Sequence, residues 1–126
     1  MTGGKIRVFH PGGGSIKTAQ TAGIKREELI SSSDAWVGIA HTAPRFISGW
    51  HHHGNHDSFI YVTSGKIRLE FGHQGKEKCE GGLGDVLHVP RNTIHRESNP
   101  SDEEQVLFVV RVGNGEPVVN LEGPEG

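Results

Sequence analysis

The sequence has little of what defines several common classes of protein. Cys79 is the single cysteine among 126 residues, so no disulfide can form within the chain and nothing calls for an oxidising compartment. No apolar run approaches membrane-spanning length, and the first residues lack the charged-then-apolar pattern of a secretory signal. We therefore expect a cytoplasmic protein with no membrane partner.

An excess of positive charge is also missing. The 13 lysines and arginines nearly balance the 15 acidic residues, which gives a formal net charge of -2 and no basic stripe along the chain. Nucleic-acid binding depends on clustered cations that neutralise phosphates. We therefore expect no nucleic-acid partner, and a small molecule is the better candidate.

Long amphipathic helices are absent as well, and this absence bears on the fold. The apolar fraction is a modest 33%, whereas glycine is abundant at 19 residues. Such a composition favours short strands joined by tight turns. The length suits one domain, which we expect to span residues 1–126 with loose termini.

Alternating or apolar segments predict about ten strands, which favours an all-β sandwich or barrel. Residues 21–33 also contain a helix-forming stretch, but a strand is favoured there. The glycines at 12–14 match a phosphate-binding loop only weakly, because no Lys-Ser/Thr pair and no helix follow them. Residues 59–62 and 66–71 are predicted to form a hairpin through the turn at 63–65. The predicted strands are residues 5–9, 21–33, 35–43, 59–62, 66–71, 76–79, 86–89, 93–98, 105–112 and 117–121.

Side-chain alternation assigns faces within two of these strands. In residues 35–43 one face carries Val37, Ile39 and His41, and the other begins with Trp36. His41 is thus either directed into a pocket or partly exposed at a strand end. Tyr61, within an apolar strand, is predicted to pack in the core.

The densest chemical feature is a run of four imidazoles in six positions, between residues 51 and 56. In an extended chain His51 and His53 project to one side while His52 points away. Two imidazoles at this spacing can hold one metal ion, and His95, just past a strand-like run, is the best third ligand. A surface polar run is the alternative; an affinity tag is excluded because the cluster lies mid-chain. The remaining histidines are expected at the surface or in packing: His10, His41, His52, His73 and His88.

Two spaced motifs resemble those of the cupin superfamily. The first cupin motif reads Gly, five residues, His-x-His, three or four residues, Glu, six residues, Gly, and residues 45–65 follow its spacing from His51 to Gly65. The second reads Gly, five residues, Pro-x-Gly, two residues, His, three residues, Asn. At residues 84–99 the spacing is matched by Gly84, Pro90, His95 and Asn99. The resemblance implies a cupin-type antiparallel β-barrel (jelly roll), a metal centre at His51, His53 and His95, and frequently a homodimer.

Three residues depart from these motifs. Arg45 stands in place of the leading Gly, and Asn92 replaces the Gly of Pro-x-Gly, although Asn tolerates positive φ. Ser58 occupies the place of the ligating Glu. Either the three histidines then hold the ion alone, or His56 or Asp57 supplies a fourth ligand. His56 is the better substitute, because Asp57 would face away on an ideal strand.

A neutral three-histidine site resembles that of cupin thiol dioxygenases and a β-diketone-cleaving dioxygenase. The resemblance implies a divalent metal cofactor, with Fe(II) favoured and Zn, Ni, Mn or Cu also compatible. The leading function is a metal-dependent dioxygenase acting on a small organic molecule. The alternatives are a non-catalytic metal or small-ligand binding module, and a metal-dependent isomerase or lyase acting on a sugar or organic acid.

Other groups could act beside the ion. Glu97, two residues after His95, is the nearest candidate base if it points inward, and is solvated if the strand has already reached the rim. Cys79 is distant from both motifs along the chain and is not expected to act as a nucleophile. Arg45, Arg68 and Arg96 could each bind a substrate carboxylate. Arg68, however, is expected on the solvent face of its strand.

Overall fold

The computed structural model describes residues 3–16, 18 and 20–126. Within those residues it contains ten strands and no helix, and therefore no helix that could cross a membrane. The strands are β1 (Lys25–Ser31), β2 (Ala35–Thr42), β3 (His51–His52), β4 (Asn55–Ser64), β5 (Ile67–Phe71), β6 (Glu77–Gly81), β7 (Val86–Val89), β8 (His95–Ser98), β9 (Gln105–Asn114) and β10 (Val119–Asn120).

The strands form two five-stranded sheets. One has the order β1-β2-β9-β4-β7 and the other the order β10-β3-β8-β5-β6, and all neighbouring strands run antiparallel. The inner faces enclose an apolar core built around Trp36, Ile60, Val62, Ile67 and Leu107. This jelly roll confirms the predicted all-β fold, including the strand favoured within residues 21–33.

The predicted hairpin at residues 59–71 is wrong. Strand β4 pairs with β7 and β9, whereas β5 pairs with β6 and β8 in the other sheet. Residues 63–65 therefore carry the chain between sheets, and Gly65 has a φ of 76° at this corner. A Cβ there would approach the Glu104 carbonyl oxygen to 3.0 Å, so close backbone packing as well as positive φ requires glycine.

The strand predicted at residues 5–9 is also wrong. Described residues 3–10 have no regular structure, and the side chain of Ile6 is 99% exposed. Alternation makes a strand possible, but a strand also needs a hydrogen-bonded neighbour. The predicted strand at residues 117–121 does form, in the short version β10.

The inward-facing side chains of the central strands form successive rows, and these rows separate the apolar core from the polar end of the barrel. Three inward rows cross the central strands: Ala40, Leu107 and Val62, then Gly38, Val109 and Ile60, then Trp36, Arg111 and Ser58. The first two rows are apolar, and polar groups begin in the third.

The same alternation decides the positions of Tyr61 and His41. Because Ile60 and Val62 point inward, Tyr61 is 45% exposed on the outer face, and its predicted core position is wrong. His41 is partly exposed at the end of β2 and lies 3.3 Å from a Glu104 carboxylate oxygen. Of the two positions expected for His41, the partly exposed one at the strand end is therefore the one observed.

Candidate metal centre

Three buried histidines meet inside the barrel at its polar end. His51 in β3 pairs in register with His95 in β8, and His53 follows directly after β3. Each offers one ring nitrogen, and these three atoms all lie within 4.8 Å of one another. The sequence therefore identified a set of side chains that the fold does bring together.

Backbone carbonyls determine which nitrogen of each ring faces the centre. The Nδ1 atoms of His51, His53 and His95 lie 2.9, 2.8 and 2.9 Å from the carbonyl oxygens of Gly49, Pro117 and Thr93. A carbonyl oxygen only accepts, so the Nδ1 atoms of His51 and His95 carry the proton and their Nε2 atoms keep the lone pair. His53 Nδ1 also lies 3.1 Å from Arg111 Nε, and it carries the proton when Nε2 ligates a metal.

The free lone pairs fit a metal ion. The Nε2 atoms of His51 and His95 are buried and have no hydrogen-bond partner within the described chain. Leaving a buried acceptor without a partner costs free energy. Metal-binding histidines usually ligate the ion through one ring nitrogen while the other nitrogen donates a hydrogen bond, which is the arrangement seen here at Nδ1. The three-histidine group could thus hold one divalent ion.

The protonation state also suits metal binding. Burial lowers the pKa of His95 to about 4 and lowers the pKa of His51 and His53 well below the ordinary value. Neighbouring cations, including Arg111, add to this effect. All three rings are therefore neutral near pH 7, which is the form that ligates metals.

The turns of both motifs survive their substitutions. Arg45 and Asn92 adopt positive φ values of 65° and 59°, although neither is glycine. The Asn92 amide donates to the Gly54 carbonyl at 2.9 Å, which ties the turn before His95 to the loop after His53. The second motif thereby helps to fix the position of the first.

Residues 56–58 differ sharply in position. Ser58 is fully buried in β4, and its hydroxyl has no partner within the described chain. His56 is also buried and donates from Nδ1 to the His53 carbonyl at 2.9 Å, but it is not part of the three-histidine group. Asp57 points outward, as expected, and forms an ion pair with Arg91.

Glu97 points into the barrel rather than to the solvated rim. It is 5% exposed, and its backbone amide donates to the Ser48 hydroxyl at 2.9 Å. Burial raises the pKa of Glu97, while Arg26 and Arg111 oppose that rise. The interior therefore contains a carboxyl group with an enhanced proton affinity.

The arginines inside the barrel are not those expected from the sequence. Arg26 and Arg111 are buried, and burial lowers their pKa values to about 10 and about 9. Arg111 could have been found from the alternation of β9, where it follows the inward residues Gln105, Leu107 and Val109. The three arginines considered as carboxylate ligands pair with surface acids instead: Arg45 with Asp102, Arg68 with Glu80, and Arg96 with Glu70.

A cavity of about 280 Å³ reaches His95 from the edge where β6 and β7 end the two sheets. Its wall is mainly apolar and includes Leu69, Phe71 and Val89. Cys79 also lines this cavity, although it is distant from both motifs in sequence. Burial raises the pKa of the Cys79 thiol, which opposes thiolate formation and hence nucleophilic reactivity.

Comparison with known proteins agrees with this architecture. A family model described as "Cupin domain" matches residues 38–111, more than half of the chain. No curated protein matches the sequence.

Solved structures share the fold at low sequence identity. An uncharacterized conserved protein with a double-stranded beta-helix domain from Klebsiella pneumoniae has a TM-score of 0.71 and 18% identity, over 94% of this chain and 99% of that one. KdgF from Halomonas sp. has a TM-score of 0.65 and 20% identity, with coverages of 86% and 94%. Oxalate decarboxylase from Bacillus subtilis has a TM-score of 0.70 and 24% identity, with coverages of 83% and 29%. With both motifs present and the family model spanning them, the chain belongs to the cupin family.

Proposed function

We propose that this cupin is a metal-dependent enzyme of the dioxygenase type, acting on a small organic molecule at His51, His53 and His95. The observation that carries the proposal is the group of three buried imidazoles whose candidate ligand nitrogens lie within 4.8 Å of one another, with the Nε2 atoms of His51 and His95 buried and without a partner in the described chain. Fe(II) is the favoured ion, because a neutral facial triad leaves positions open for a substrate and O₂. When bound, the ion would supply Lewis acidity and redox chemistry.

The chain itself would hold and orient the substrate. The apolar cavity beside His95 would accept the body of a small organic molecule and limit the access of water. Glu97 would accept a proton from the substrate or a hydrogen bond from it, because burial gives its carboxyl group a raised pKa.

The fourth ligand position is where this chain departs from the common cupin pattern. Ser58 has a buried hydroxyl where a carboxylate would normally ligate the ion, and a neutral hydroxyl is a weak ligand. We propose that the position is left to water or substrate. His56 is the alternative fourth ligand, and if it coordinated through Nδ1 its ring would have to give up the hydrogen bond to the His53 carbonyl.

Elemental analysis of untagged protein is the first test, and it should find about one divalent ion per chain. His95→Ala should abolish stoichiometric metal because one of the three ligands is lost. His88→Ala is the matched control, since His88 lies on the outer face of the barrel against Asp57. Unchanged metal content in His95→Ala would contradict the proposed ligand set.

Oxygen uptake with Fe(II)-loaded protein and a substrate panel tests the reaction type. Consumption of O₂ that depends on substrate, and is lost in His95→Ala, is the expected result. Turnover without O₂ would instead indicate an isomerase or lyase. Metal and ligand binding without any turnover would indicate a binding module.

We also propose that the functional unit is a homodimer. The outer face of the β1-β2-β9-β4-β7 sheet exposes Phe59, Tyr61, Val86 and Phe108, which a second copy would cover.

A further inference from the structure

Arg111 is a buried cation whose hydrogen-bonding capacity is largely unused. Its side chain is 4% exposed, and its guanidinium lies 4.7 Å from the centroid of the Trp36 ring. The Nη1 atom is buried and has no hydrogen-bond partner within the described chain. The neighbouring Arg26 differs, because its Nη1 donates to the Thr21 hydroxyl at 2.7 Å. Burying a charged guanidinium costs free energy unless its N–H groups are hydrogen-bonded, so Arg111 needs an acceptor.

The contact between Arg111 and His53 does not supply that acceptor when a metal is bound. Arg111 Nε lies 3.1 Å from His53 Nδ1, and the same Nδ1 lies 2.8 Å from the Pro117 carbonyl oxygen. One ring nitrogen holds either a proton or a lone pair. Metal binding at Nε2 requires that lone pair, so the proton must then be on Nδ1, where it is donated to Pro117. Arg111 Nε then lacks an acceptor as well.

The balance of charge around the centre points the same way. Arg26 and Arg111 are two cations near the neutral histidines, and among the described residues Glu97 is the buried acid that acts on both. A divalent ion would make this region more positive still. An anionic ligand would restore the balance and provide oxygen acceptors for the free N–H groups.

We propose that Arg111 anchors the carboxylate of a small organic anion that binds beside the three-histidine centre. Trp36 contacts the guanidinium through its ring face, and Ser58, in register with Arg111, carries no carboxylate that could pair with it. The inference rests on the proposed function, because the anion is taken to be the substrate of the same site. It names the substrate class as a carboxylic acid rather than a neutral molecule or a sugar.

Calorimetric titration of Zn(II)-loaded protein with pyruvate and with its neutral amide tests the proposal, because Zn(II) avoids redox turnover. Pyruvate should bind at least about tenfold more tightly than the amide, in line with a charge-assisted hydrogen bond. Arg111→Met should lose ten- to a hundred-fold in pyruvate affinity, and Arg111→Lys should retain part of it. Arg96→Met is the matched control, since Arg96 stacks on Trp50 and pairs with Glu70 away from the centre.

A second readout does not depend on the stability of the arginine variants. Trp36 and Trp50 are the only tryptophans, so Trp50→Phe leaves Trp36 as the sole reporter. Pyruvate bound to the guanidinium over that ring should produce a saturable change in its emission, whereas the amide should not. Equal affinities for acid and amide, or a silent Trp36 on saturation, would overturn the proposal.

Failure of this proposal can be told apart from failure of the metal site. If Arg111→Met keeps stoichiometric Zn(II) and wild-type pyruvate affinity, the anchor is wrong while the metal centre stands. If His95→Ala loses no metal while pyruvate binding still depends on Arg111, the ligand set is wrong while the anchor stands.

Discussion

The identity of residue 58 determines what kind of centre the barrel can build. Ser58 is fully buried and lies in register with Arg111 on the adjacent strand. A carboxylate at this position would add a negative charge beside the ion and would also face the guanidinium. With serine at this position, a bound metal and Arg111 would both be available to an external anion.

Ser58→Glu should therefore raise metal retention and weaken anion binding together. We expect the dissociation constant for Zn(II) against a competing chelator to fall, and that for pyruvate to rise, each by about ten- to a hundred-fold. Thr63→Glu is the control, because it adds the same charge to an exposed position of the same strand.

His56 provides the competing explanation for the same site. If its ring already serves as the fourth ligand, Ser58→Glu should change little and His56→Ala should lose metal. Should neither variant alter the metal or the anion constants, the open three-histidine centre would lose its support.

The grouping of the three histidines was predictable from local spacing for His51 and His53, and from the second cupin motif for His95. His51 and His53 share a face of any extended chain, and His95 sits at a fixed position in the second motif. Arg26 was not predictable in this way, because its strand was ambiguous in the sequence. The inward position of Arg111 could have been predicted, because every second residue after the apolar Leu107 faces the same side of the strand.

At the scale of elements, the sequence predicted which segments are strands better than which strands are neighbours. The segments at 59–62 and 66–71 are strands, yet the short turn between them connects two sheets instead of forming a hairpin. Side-chain alternation identifies a half-buried strand, but pairing depends on contacts distant in sequence, such as β4 with β9. Residues 5–9 show that alternation alone does not make a strand, because this segment pairs with no strand in the described part of the chain.

A glycine in strand β2 allows the Trp36 ring to pack beside the candidate metal centre. Gly38 lies inward between Trp36 and Ala40, and a Cβ there would collide with the Trp36 ring and with the Glu27 carbonyl of β1. The Trp36 ring lies over this bare position and in turn supports Arg111. The absence of a side chain at residue 38 thus shapes the wall of the candidate centre.

Gly38→Ala should lower the free energy of unfolding by about 1–3 kcal/mol, because the backbone of β1 and a buried indole must move. Chemical denaturation measures this, and Gly123→Ala is the control because no heavy atom lies within 4 Å of its added Cβ. The variant should also weaken pyruvate binding through the displaced Trp36. An unchanged midpoint and slope would show that the packing at Gly38 is looser than described.

At the scale of the whole molecule, the outer faces of the two sheets differ in character. The face of the β10-β3-β8-β5-β6 sheet is polar and carries the ion pairs Arg68–Glu80 and Arg96–Glu70. The face of the other sheet exposes large apolar side chains on β4, β7 and β9. Cross-strand register joins them into two rows: Ile39, Phe108, Tyr61 and Val86, and Val37, Val110, Phe59 and His88. A contiguous apolar surface of this kind is consistent with the proposed dimer interface.

The margins of this face favour a second copy as its partner. One end carries the ion pair of Asp57 with Arg91, and the other carries His41 with Glu104. Both signs of charge therefore border the same apolar patch. A two-fold axis through the patch would bring the Arg91 end of one copy to the Glu104 end of the other, as a self-complementary interface requires.

We accordingly expect a dimer at micromolar concentration, with twice the 13.7 kDa mass of one chain in sedimentation equilibrium. Tyr61→Glu should shift the mass to that of the monomer, because burying an unpaired carboxylate in an apolar interface costs several kcal/mol. His73→Glu adds the same charge to an exposed position in the turn before β6 and should remain dimeric. Since Tyr61 points away from the three histidines, the Tyr61→Glu monomer should still bind one metal ion per chain. A wild-type monomer, or a dimer that survives Tyr61→Glu, would show that this face is not where two copies meet.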